Sequence, residues 1–425
     1  MTRVDRDRLV ALRREFHRHP EPAWREFWTT ARIVEELEAI GVDELYVGAD
    51  ALDGDARMAV PEDAELADWT ERARQAGVDE ATLEGMAGGF TGCVAVVDCG
   101  PGPTVGVRVD VDGLPRAEST DDDHHPASEG FRSETGAMHA CGHDGHATIG
   151  LGVVEAIRDS SFSGTLKVFF QPAEEVIGGG KAMAASRHIE DVDYLYALHL
   201  GLDHPTGEVV AGIDGFLAVE HLDVAFEGAP GHAGAKPEEG RNAMQAMAAA
   251  VQNMYGISRH SEGATRVNAG VVEGGTASNI IPEDVRAQVE VRGETTDLKD
   301  YMSDRVRDVV AGAARMHECE FDVELGGQAP SATSDQALVD FVRDVADGTD
   351  GVDSVVERDD LGGSEDATFL MQAVQDRGGL ACYVGVGTDH PGGHHTATFD
   401  VDEDSLPIGV DVLVGAIERV AETRP

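Results

Sequence analysis

Hydrophobic and polar positions follow one another along the first half of the chain in a pattern that predicts a parallel α/β domain. Residues 5–41 show helical spacing of apolar positions in two segments, interrupted at Pro20 and Pro22. Short apolar runs then alternate with helical patterns; these runs are CVAVVDC, TVGVRVDV, LKVFFQP and YLYALHL. Uninterrupted apolar strands are typical of a mostly parallel sheet that helices cover on both faces. Residues 48–88 are acidic and weakly periodic, which predicts an insertion or cap with a helix near Glu62–Ala76.

A second pattern begins near Ile213 and predicts a smaller, inserted domain. Strands and helices follow here in the order β-α-β-β-α-β, in the segments HLDVAFEG, 243–255, RVNAGVVEGG, VRAQVEVRG, 298–316 and CEFDVELG. This order is ferredoxin-like in outline. From about Ser331 the helix–strand alternation of the first domain resumes. We therefore predict one domain formed by residues 1–213 and 326–425, into which residues 214–325 are inserted.

The charge of the chain excludes several classes of partner. Its 425 residues include 80 Asp and Glu against 33 Lys and Arg, which gives a formal net charge of −47. Such a chain repels phosphate, so we expect neither nucleic-acid binding nor attachment to an anionic membrane. Only four of the cations are lysines. An acid-rich, Lys-poor composition is typical of cytosolic proteins from salt-accumulating microbes, where salt screens the repulsion; an ordinary acidic protein is the alternative.

Cysteine usage and the N-terminal segment indicate a cytoplasmic protein. The five cysteines form no even framework and no CxxC pair, which favours a reducing compartment. The segment MTRVDRDRLVALRREF is charged and contains no apolar core of a signal peptide. No stretch approaches the roughly 18 apolar residues of a membrane-spanning helix. We therefore expect neither a signal peptide nor a transmembrane span.

The segment Met138–His146, MHACGHDGH, is the strongest candidate for a metal site. Cys141 and His143 are two residues apart and can face one ion from a loop, whereas His143 and His146 share a face if a helix begins there. Thiolate and imidazole ligands together suit Zn²⁺ and similar first-row ions. Taken alone, the segment is also compatible with a surface loop that happens to contain three histidines.

Three further strand ends carry metal-ligating or acid–base residues. Glu174 and Glu175 follow LKVFFQP, His199 ends YLYALHL, and His395 closes the Gly-rich segment GTDHPGGHH after ACYVGVG. One carboxylate of the pair can bind a metal while the other takes a proton from water, although paired glutamates in an acidic chain are also ordinary surface residues. Each histidine alone is more often a packing residue. Together, four strand ends deliver Cys, His, Glu, His and His, which is a ligand set for two metals.

The order of these motifs resembles one enzyme family across nearly the whole chain. The segments are VRVDVDGLP, MHACGHDGH, FQPAEE, ALHLG, GHAGAKPEEGRNA, SNIIPEDV, GGSEDATF and GHHTATFDVDED. They resemble the dinuclear metallo-amidohydrolases and metallo-aminoacylases that include hippurate hydrolase, indoleacetyl-amino-acid hydrolase and glutamate carboxypeptidase. The resemblance implies a zinc-peptidase-like catalytic domain, residues 1–213 and 326–425, with a ferredoxin-like lid and dimerisation domain, residues 214–325. Within the family, HRHPEPAWREFWTTARIVEEL, GGFTGCVAVVDCG and HSEGATRVN are most similar to the A-type subunits of aminobenzoyl-glutamate hydrolases.

The resemblance implies a set of five metal ligands. In this chain the matching positions are Cys141, His143, Glu175, His199 and His395. His395 is preferred to its neighbour His394 because it lies four residues before Phe399, the spacing that the family's last ligand keeps. Two divalent ions, Mn²⁺ or Zn²⁺, are implied as cofactors. Many relatives use a bridging carboxylate where this chain has Cys141, and a thiolate shifts the preference toward softer ions.

Other positions match residues that act on the substrate. Glu174 matches the general base, and His232 matches a lid histidine that polarises the scissile carbonyl, usually in the partner subunit's site. Asn279 and Arg292 match lid positions implicated in carboxylate binding; for Arg292, pairing with a surface glutamate is the alternative. Four more residues are expected behind the ligands: Asp110 and Asp112 as an acidic pair, and His139 and His146 as supporting histidines.

The implied activity is metal-dependent hydrolysis of the amide bond of an N-acyl, in particular aroyl, amino acid, with p-aminobenzoyl-glutamate as the expected substrate. A hydrolase of hippurate or of indoleacetyl-amino acids is the alternative among enzymes. A non-catalytic partner subunit of the same fold is the alternative outside them, but Glu174 and all five ligands are present, which favours an enzyme. The expected assembly is a homodimer or a heterodimer with a homologous subunit.

Overall fold

The computed structural model describes residues 3–425. Met1 and Thr2, the first residues of the predicted catalytic domain, lie outside the described residues. The chain divides into two compact units. The larger unit comprises the described part of Met1–Gly215 with Ala332–Leu361 and Asp366–Pro425, and the smaller unit comprises Phe216–Ser331 and Gly362–Glu365. The predicted boundaries at 213 and 326 lie close to these, while the catalytic and lid roles of the two units stay predictions.

Helices and strands are numbered along the chain. The first part of the larger unit contains α1 (Arg6–Arg18), α2 (Phe27–Ile40), β1 (Glu44–Val47), α3 (Asp63–Gln75), α4 (Glu80–Gly85), β2 (Cys93–Asp98), β3 (Thr104–Asp110), α5 (His125–Ser128), α6 (His143–Arg158), β4 (Thr165–Gln171), α7 (Gly180–Ala184), β5 (Tyr194–Leu200), β6 (Glu208–Val210) and β7 (Ile213–Asp214). The smaller unit contains β8 (Ala218–Glu227), α8 (Ala243–Met254), β9 (Thr265–Gly274), β10 (Asp284–Gly293), α9 (Thr296–His317) and β11 (Glu320–Ala329). The larger unit ends with α10 (Gln336–Ala346), β12 (Ser354–Val356), β13 (Asp359–Asp360), α11 (Ala367–Gln375), β14 (Leu380–Val386) and α12 (Ser405–Thr423). Short 3₁₀ helices cover Gly48–Asp50, Gly54–Ala56, Arg187–Ile189 and Pro237–Glu239.

A sheet of eight strands forms the centre of the larger unit, in the order β1-β2-β4-β3-β5-β14-β6-β12. Its central strands β4, β3, β5 and β14 are parallel, and antiparallel pairs flank them. These strands are apolar and almost wholly buried, as in YLYALHL and LACYVGV, because helices cover them. Residues of α1, α6, α10 and α12 share one apolar core with the strands, and α11 packs against β5 and β14. The predicted mostly parallel α/β domain is confirmed.

The smaller unit is built on a four-stranded antiparallel sheet in the order β11-β8-β10-β9. Every second residue of β10, from Val285 to Val291, joins a core with α8 and α9. The chain order β8-α8-β9-β10-α9-β11 is the predicted ferredoxin-like one. Met247 and Met254 of α8 lie inside this core, so they pack the unit rather than form a docking face. No helix within residues 3–425 combines the length and apolar character that crossing a bilayer requires.

Candidate metal centre

The candidate site lies where parallel strands of the larger unit end. Asp110 ends β3, Gln171 ends β4, and His199 is the penultimate residue of β5. These strands are neighbours in the sheet, so their carboxyl ends meet at one edge. Helix α6 begins beside them at His143, after Gly142, whose φ of 88° suits a residue without a Cβ.

Five residues proposed as ligands from the sequence converge at this edge. Their ligand atoms form overlapping groups in which all atoms lie within 4.8 Å of one another. The groups, which also include Glu174, are Cys141 with His143 and His199, Cys141 with Glu175 and His395, and His143 with Glu174 and Glu175. Within these three groups, Cys141, His143 and Glu175 each occur twice, so the arrangement can serve two ions that share ligands.

The donor atoms fit divalent cations. His143 donates from Nδ1 to the Asp112 carbonyl at 3.0 Å, and its buried Nε2 makes no hydrogen bond with any described residue. His199 donates from Nδ1 to the Leu200 carbonyl at 2.7 Å, which leaves the lone pair of Nε2 facing Sγ of Cys141 at 3.4 Å. Each imidazole therefore has one nitrogen fixed by the main chain and the other available, as histidine ligands do in metal sites.

Burial and charge shape the site's affinity for cations. Burial and the neighbouring imidazole rings hold the pKa of His199 well below its usual range, so this ligand is neutral. Burial raises the pKa of the Cys141 thiol, which means that its thiolate needs a nearby positive charge. Although burial lowers the pKa of His143, the carboxylates of Asp110 and Asp112 raise it well above its usual value. The carboxylates thus favour positive charge at this edge, which the imidazolium of His143 carries and which a bound cation would supply in its place.

Asp112 organises the residues that carry the chemistry. Its carboxylate oxygens accept the backbone N–H groups of Glu174 at 3.1 Å and of Glu175 at 3.0 Å. Its carbonyl oxygen accepts Nδ1 of His143 and, at 3.1 Å, Nδ1 of His139. A single residue therefore fixes the loop of the glutamate pair and the orientation of a ligand histidine. Its proposed place behind the ligands agrees with these contacts.

Asp110 and His146 form a second support. The Leu200 N–H donates to Nε2 of His146 at 2.9 Å, so the proton of this ring lies on Nδ1, which donates to Asp110. Both nitrogens of His146 are thereby engaged within the protein, although the ring lies in a group with Asp110 and His143 that could hold an ion. The other oxygen of Asp110 pairs with buried Arg108 at 2.7 Å. The supporting role expected for His146 stays a prediction, and these two hydrogen bonds are compatible with it.

The structure distinguishes the two histidines of the GGHH segment. Nε2 of His395 lies 3.5 Å from a carboxylate oxygen of Glu175, and the backbone N–H of His395 donates to the Ala140 carbonyl at 2.7 Å. His395 adopts a left-handed φ of 59°, which turns the chain at this point. His394 instead packs on Phe399, with ring centroids 4.9 Å apart, and its burial lowers its pKa to about 4. His395 thus lies within a candidate ligand group, whereas His394 packs on Phe399, and the choice of His395 as the ligand stays a prediction.

Two supports were not found from the sequence. Glu26 accepts the N–H of Ala173 at 2.8 Å and the hydroxyl of Thr91 at 2.6 Å, and it holds Ala173 at a left-handed φ of 58° just before the glutamate pair. Burial raises the pKa of Glu26 to about 8. No spacing rule singles out this residue, because its partners are distant in sequence.

The second support is a buried ion cluster on α1. Arg13 and His17 both contact the carboxylate of Asp144, at 2.7 Å and 2.8 Å, and Asp144 directly follows the ligand His143. Arg13 also pairs with Asp400 at 2.6 Å, in the segment that follows His395. The N-terminal helix thus braces two ligand-bearing segments. The HRHP motif at its end is the only sequence signal that could have indicated this.

The predicted substrate-binding residues of the lid lie in the smaller unit. Nδ1 of exposed His232 accepts the N–H groups of Gly234 at 3.2 Å and Ala235 at 3.1 Å. The ring proton must therefore be on Nε2, which can donate to a substrate. The backbone N–H of Ala233, the residue after His232, donates to the carbonyl of Asn279 at 3.0 Å.

Arg292 is occupied within the same unit. Its guanidinium donates to both carboxylate oxygens of Glu290, at 2.8 Å and 3.1 Å. A hydrogen bond from His221 and this bidentate pair together lower the pKa of Glu290 to about 2. A substrate carboxylate would have to compete with Glu290 for Arg292, so the anchoring role of Arg292 stays a prediction.

Comparisons with known proteins agree along nearly the whole chain. The model of the peptidase family M20/M25/M40 matches residues 106–419. The indole-3-acetyl-aspartic acid hydrolase of Enterobacter agglomerans is 43% identical over 410 residues, which cover 95% of this chain and 94% of that protein. The A-type subunit of the p-aminobenzoyl-glutamate hydrolase of Escherichia coli (strain K12) is 41% identical over 411 residues, covering 96% and 94%. The crystal structure of the aminobenzoyl-glutamate utilization protein from Klebsiella pneumoniae has a TM-score of 0.84 and 37% identity, and the similarity covers 98% of this chain and 97% of that one.

Proposed function

The chain belongs to the peptidase family M20/M25/M40, and on this basis we propose that it hydrolyses the amide bond of N-acylated acidic amino acids. p-Aminobenzoyl-glutamate is the first candidate substrate and indoleacetyl-aspartate the second, because relatives at 41% and 43% identity are named for these compounds. The observation that carries the proposal is the convergence of the five ligand residues, two of which, His143 and Glu175, share a group with Glu174.

We assign the five ligands to two divalent cations. Cys141 shares one group with His143 and His199 and another with Glu175 and His395, so its thiolate would serve both. When bound, the cations supply Lewis acidity, which polarises the amide carbonyl and makes a water molecule more acidic. Mn²⁺ and Zn²⁺ are the candidates, since a thiolate suits a softer ion and a carboxylate a harder one. A thiol ligand also needs a reducing environment, in keeping with the predicted cytoplasmic location.

Glu174 performs the proton transfers. Its backbone is fixed by Asp112, and its Oε2 lies 3.9 Å from Nε2 of the ligand His143. From this position the carboxylate takes a proton from the attacking water and passes it to the leaving amine nitrogen. The Nε2–H of His232 donates to the oxyanion of the tetrahedral intermediate.

A substrate panel tests the proposal. p-Aminobenzoyl-glutamate, indoleacetyl-aspartate, hippurate and acetyl-glutamate are incubated with the enzyme in molar KCl containing Mn²⁺ or Zn²⁺. We expect the aroyl and arylacetyl conjugates of acidic amino acids to be cleaved fastest. The Glu174→Gln variant should keep its metal but lose about 10²–10⁴-fold in turnover, because an amide cannot accept the proton. A metal-loaded Gln variant with wild-type turnover would show that Glu174 is not the base, and cleavage of no panel member would refute the substrate class.

We further propose a two-fold dimer, or a heterodimer with a homologous subunit, in which His232 acts on the partner's site. Apolar side chains are exposed next to His232 and on the edge strand β9: Ile280 at 41%, Val271 at 42% and Val272 at 45% of their surface. Exposed apolar side chains of this kind favour contact with a second subunit.

Subunit mixing tests the trans role. Inactive Glu174→Gln and inactive His232→Ala chains are mixed under conditions in which mass-labelled subunits are seen to exchange. A mixed dimer then contains one site with an intact Glu174 and a His232 from its partner, so activity should return. As controls, each variant alone is put through the same exchange procedure and should stay inactive. Verified exchange without any recovered activity would refute the trans role.

A further inference from the structure

Arg116 is a cation without an internal partner. Among the arginines that the structure describes in the larger unit, only Arg116 and Arg424 make no side-chain hydrogen bond, salt bridge or ring contact. In a chain with 80 acidic residues and 33 basic ones, a guanidinium meets a carboxylate easily. Arg424 lies at the end of the last helix, whereas Arg116 lies in the loop that follows β3 and Asp112.

The main chain around Arg116 is fixed beside the metal centre. Leu114 and Met138 exchange two backbone hydrogen bonds, at 2.8 Å and 2.9 Å, which tie the loop to the MHACGH segment. On the other side, the N–H of Ser119 donates to the carbonyl of Ala397 at 2.8 Å, two residues after His395. The loop therefore spans the two segments that carry Cys141 and His395. The side chain of Arg116 is exposed between these anchors.

The position of Arg116 follows from the two anchors of its loop. Arg116 lies two residues after Leu114, which is bonded to the MHACGH segment, and three residues before Ser119, which is bonded to the segment that follows His395. Arg116 nevertheless contacts none of the ligands, so its position suits the part of a substrate that is remote from the scissile amide.

An anionic substrate needs such a group. The whole chain carries −47, so a substrate with two carboxylates approaches against repulsion everywhere except close to the two proposed cations. Arg292 can meet a carboxylate only by giving up its two bonds to Glu290. Arg116 has no bond to give up, and a guanidinium offers two parallel donors to a carboxylate.

We propose that Arg116 binds the side-chain carboxylate of the substrate's glutamate or aspartate and thereby selects acidic over neutral amino-acid conjugates. The inference rests on the proposed function, because it assigns a residue to the specificity of the same site. The α-carboxylate is one carbon from the amide nitrogen and belongs close to the reacting centre. The side-chain carboxylate extends farther and is the group that a rim arginine can reach.

Equilibrium binding tests Arg116 independently of turnover. N-benzoyl-glutamate and N-benzoyl-glutamine, which differ only in the charge of the side chain, are titrated calorimetrically into metal-loaded Glu174→Gln protein. Arg116→Gln should weaken binding of the glutamate conjugate about 5- to 20-fold and change that of the glutamine conjugate by less than about twofold. Arg116→Lys should restore part of the affinity, because it restores the charge without the fork geometry.

Arg424→Gln is the matched control. This substitution removes the same charge from another arginine without a partner. Arg424 lies near Tyr194, at the opposite end of β5 from His199. The substitution should therefore leave the affinities for both ligands unchanged. The inference would be overturned if Arg116→Gln weakened the binding of both ligands equally or of neither. It would also be overturned if Arg424→Gln had an equal effect, or if N-benzoyl-glutamate did not bind to the parent protein. Charge-selective binding without hydrolysis by the wild-type enzyme would overturn only the proposed function. Hydrolysis with binding that ignores Arg116 would overturn only the inference.

Discussion

Replacing Asp112 by Asn should disable the site while leaving the fold intact. The carboxylate accepts two backbone N–H groups, from Glu174 and Glu175, and an Asn side chain offers one acceptor oxygen and a competing NH₂ group. One charge-assisted hydrogen bond is lost and one buried N–H is left facing a donor, which costs about 1.5–3 kcal/mol at the loop. The carbonyl contacts of Asp112 to His139 and His143 involve only the main chain and remain.

The loss therefore falls on the loop that places the base and one ligand. We expect kcat/KM and metal affinity to fall about 10- to 100-fold each, as for other residues that orient metal ligands. Steady-state hydrolysis of p-aminobenzoyl-glutamate and competition with a chromophoric chelator measure the two quantities, and the melting temperature monitors the fold. Asp193→Asn is the control, because Asp193 accepts the N–H of Thr104 at 2.9 Å at the other end of β3. Wild-type kinetics and metal affinity in the Asp112→Asn variant would refute this account of the loop.

Three further outcomes follow from the same structure. His199→Ala should release metal on dialysis, because it removes a neutral imidazole whose tautomer is already fixed, and atomic absorption would show undiminished metal if the assignment were wrong. Burial and Arg13 lower the pKa of His17, but hydrogen bonds to Asp144 and Glu118 outweigh them and raise it to about 9. The stability that protonated His17 contributes is therefore present below about pH 6.5 and lost as the pH rises through 9. The difference in unfolding free energy between wild type and His17→Asn should shrink over that range, and a constant difference would contradict this account. The net charge of −47 predicts a melting temperature that rises between about 0.1 and 2 M KCl, where the screening length falls from about 10 Å to below 3 Å, and no rise would remove the halophile interpretation.

Long apolar runs made most of the fold predictable. Strands such as β5 and β14 are buried over nearly their whole length, so their sequences contain almost no polar position. The helix predicted near 62–76 is present as Asp63–Gln75, and its Leu66 and Ala73 pack in one cluster with Phe27 of α2. The short strands β6, β7, β12 and β13 have two or three residues each and were not predicted, because so few positions show no period.

The site was predictable where a residue's neighbours in sequence are its partners in space. Cys141 and His143 share a loop, and Glu174 and Glu175 follow a single strand. Glu26 and Arg13 act on residues more than a hundred positions away, and such contacts leave no local pattern. From the sequence, Arg292 could either bind a substrate carboxylate or pair with a surface glutamate. The structure shows the pairing with Glu290, whose side chain lies on the same face of the strand.

The ligand residues of the centre are oriented by hydrogen bonds within the protein itself. His143 is oriented by the Asp112 carbonyl and His199 by the Leu200 carbonyl, so Nδ1 of each ring is engaged by the main chain and Nε2 is the nitrogen that would bind a cation. The loop of the glutamate pair is held from two sides, by Asp112 at Glu174 and Glu175 and by Glu26 at Ala173. A cation that enters this edge therefore meets oriented donors, and its binding energy is not consumed in ordering them. The proposed mechanism depends on the same feature, because a hydrogen bond from the Glu174 backbone to Asp112 positions the residue that would carry a proton from water to the leaving amine.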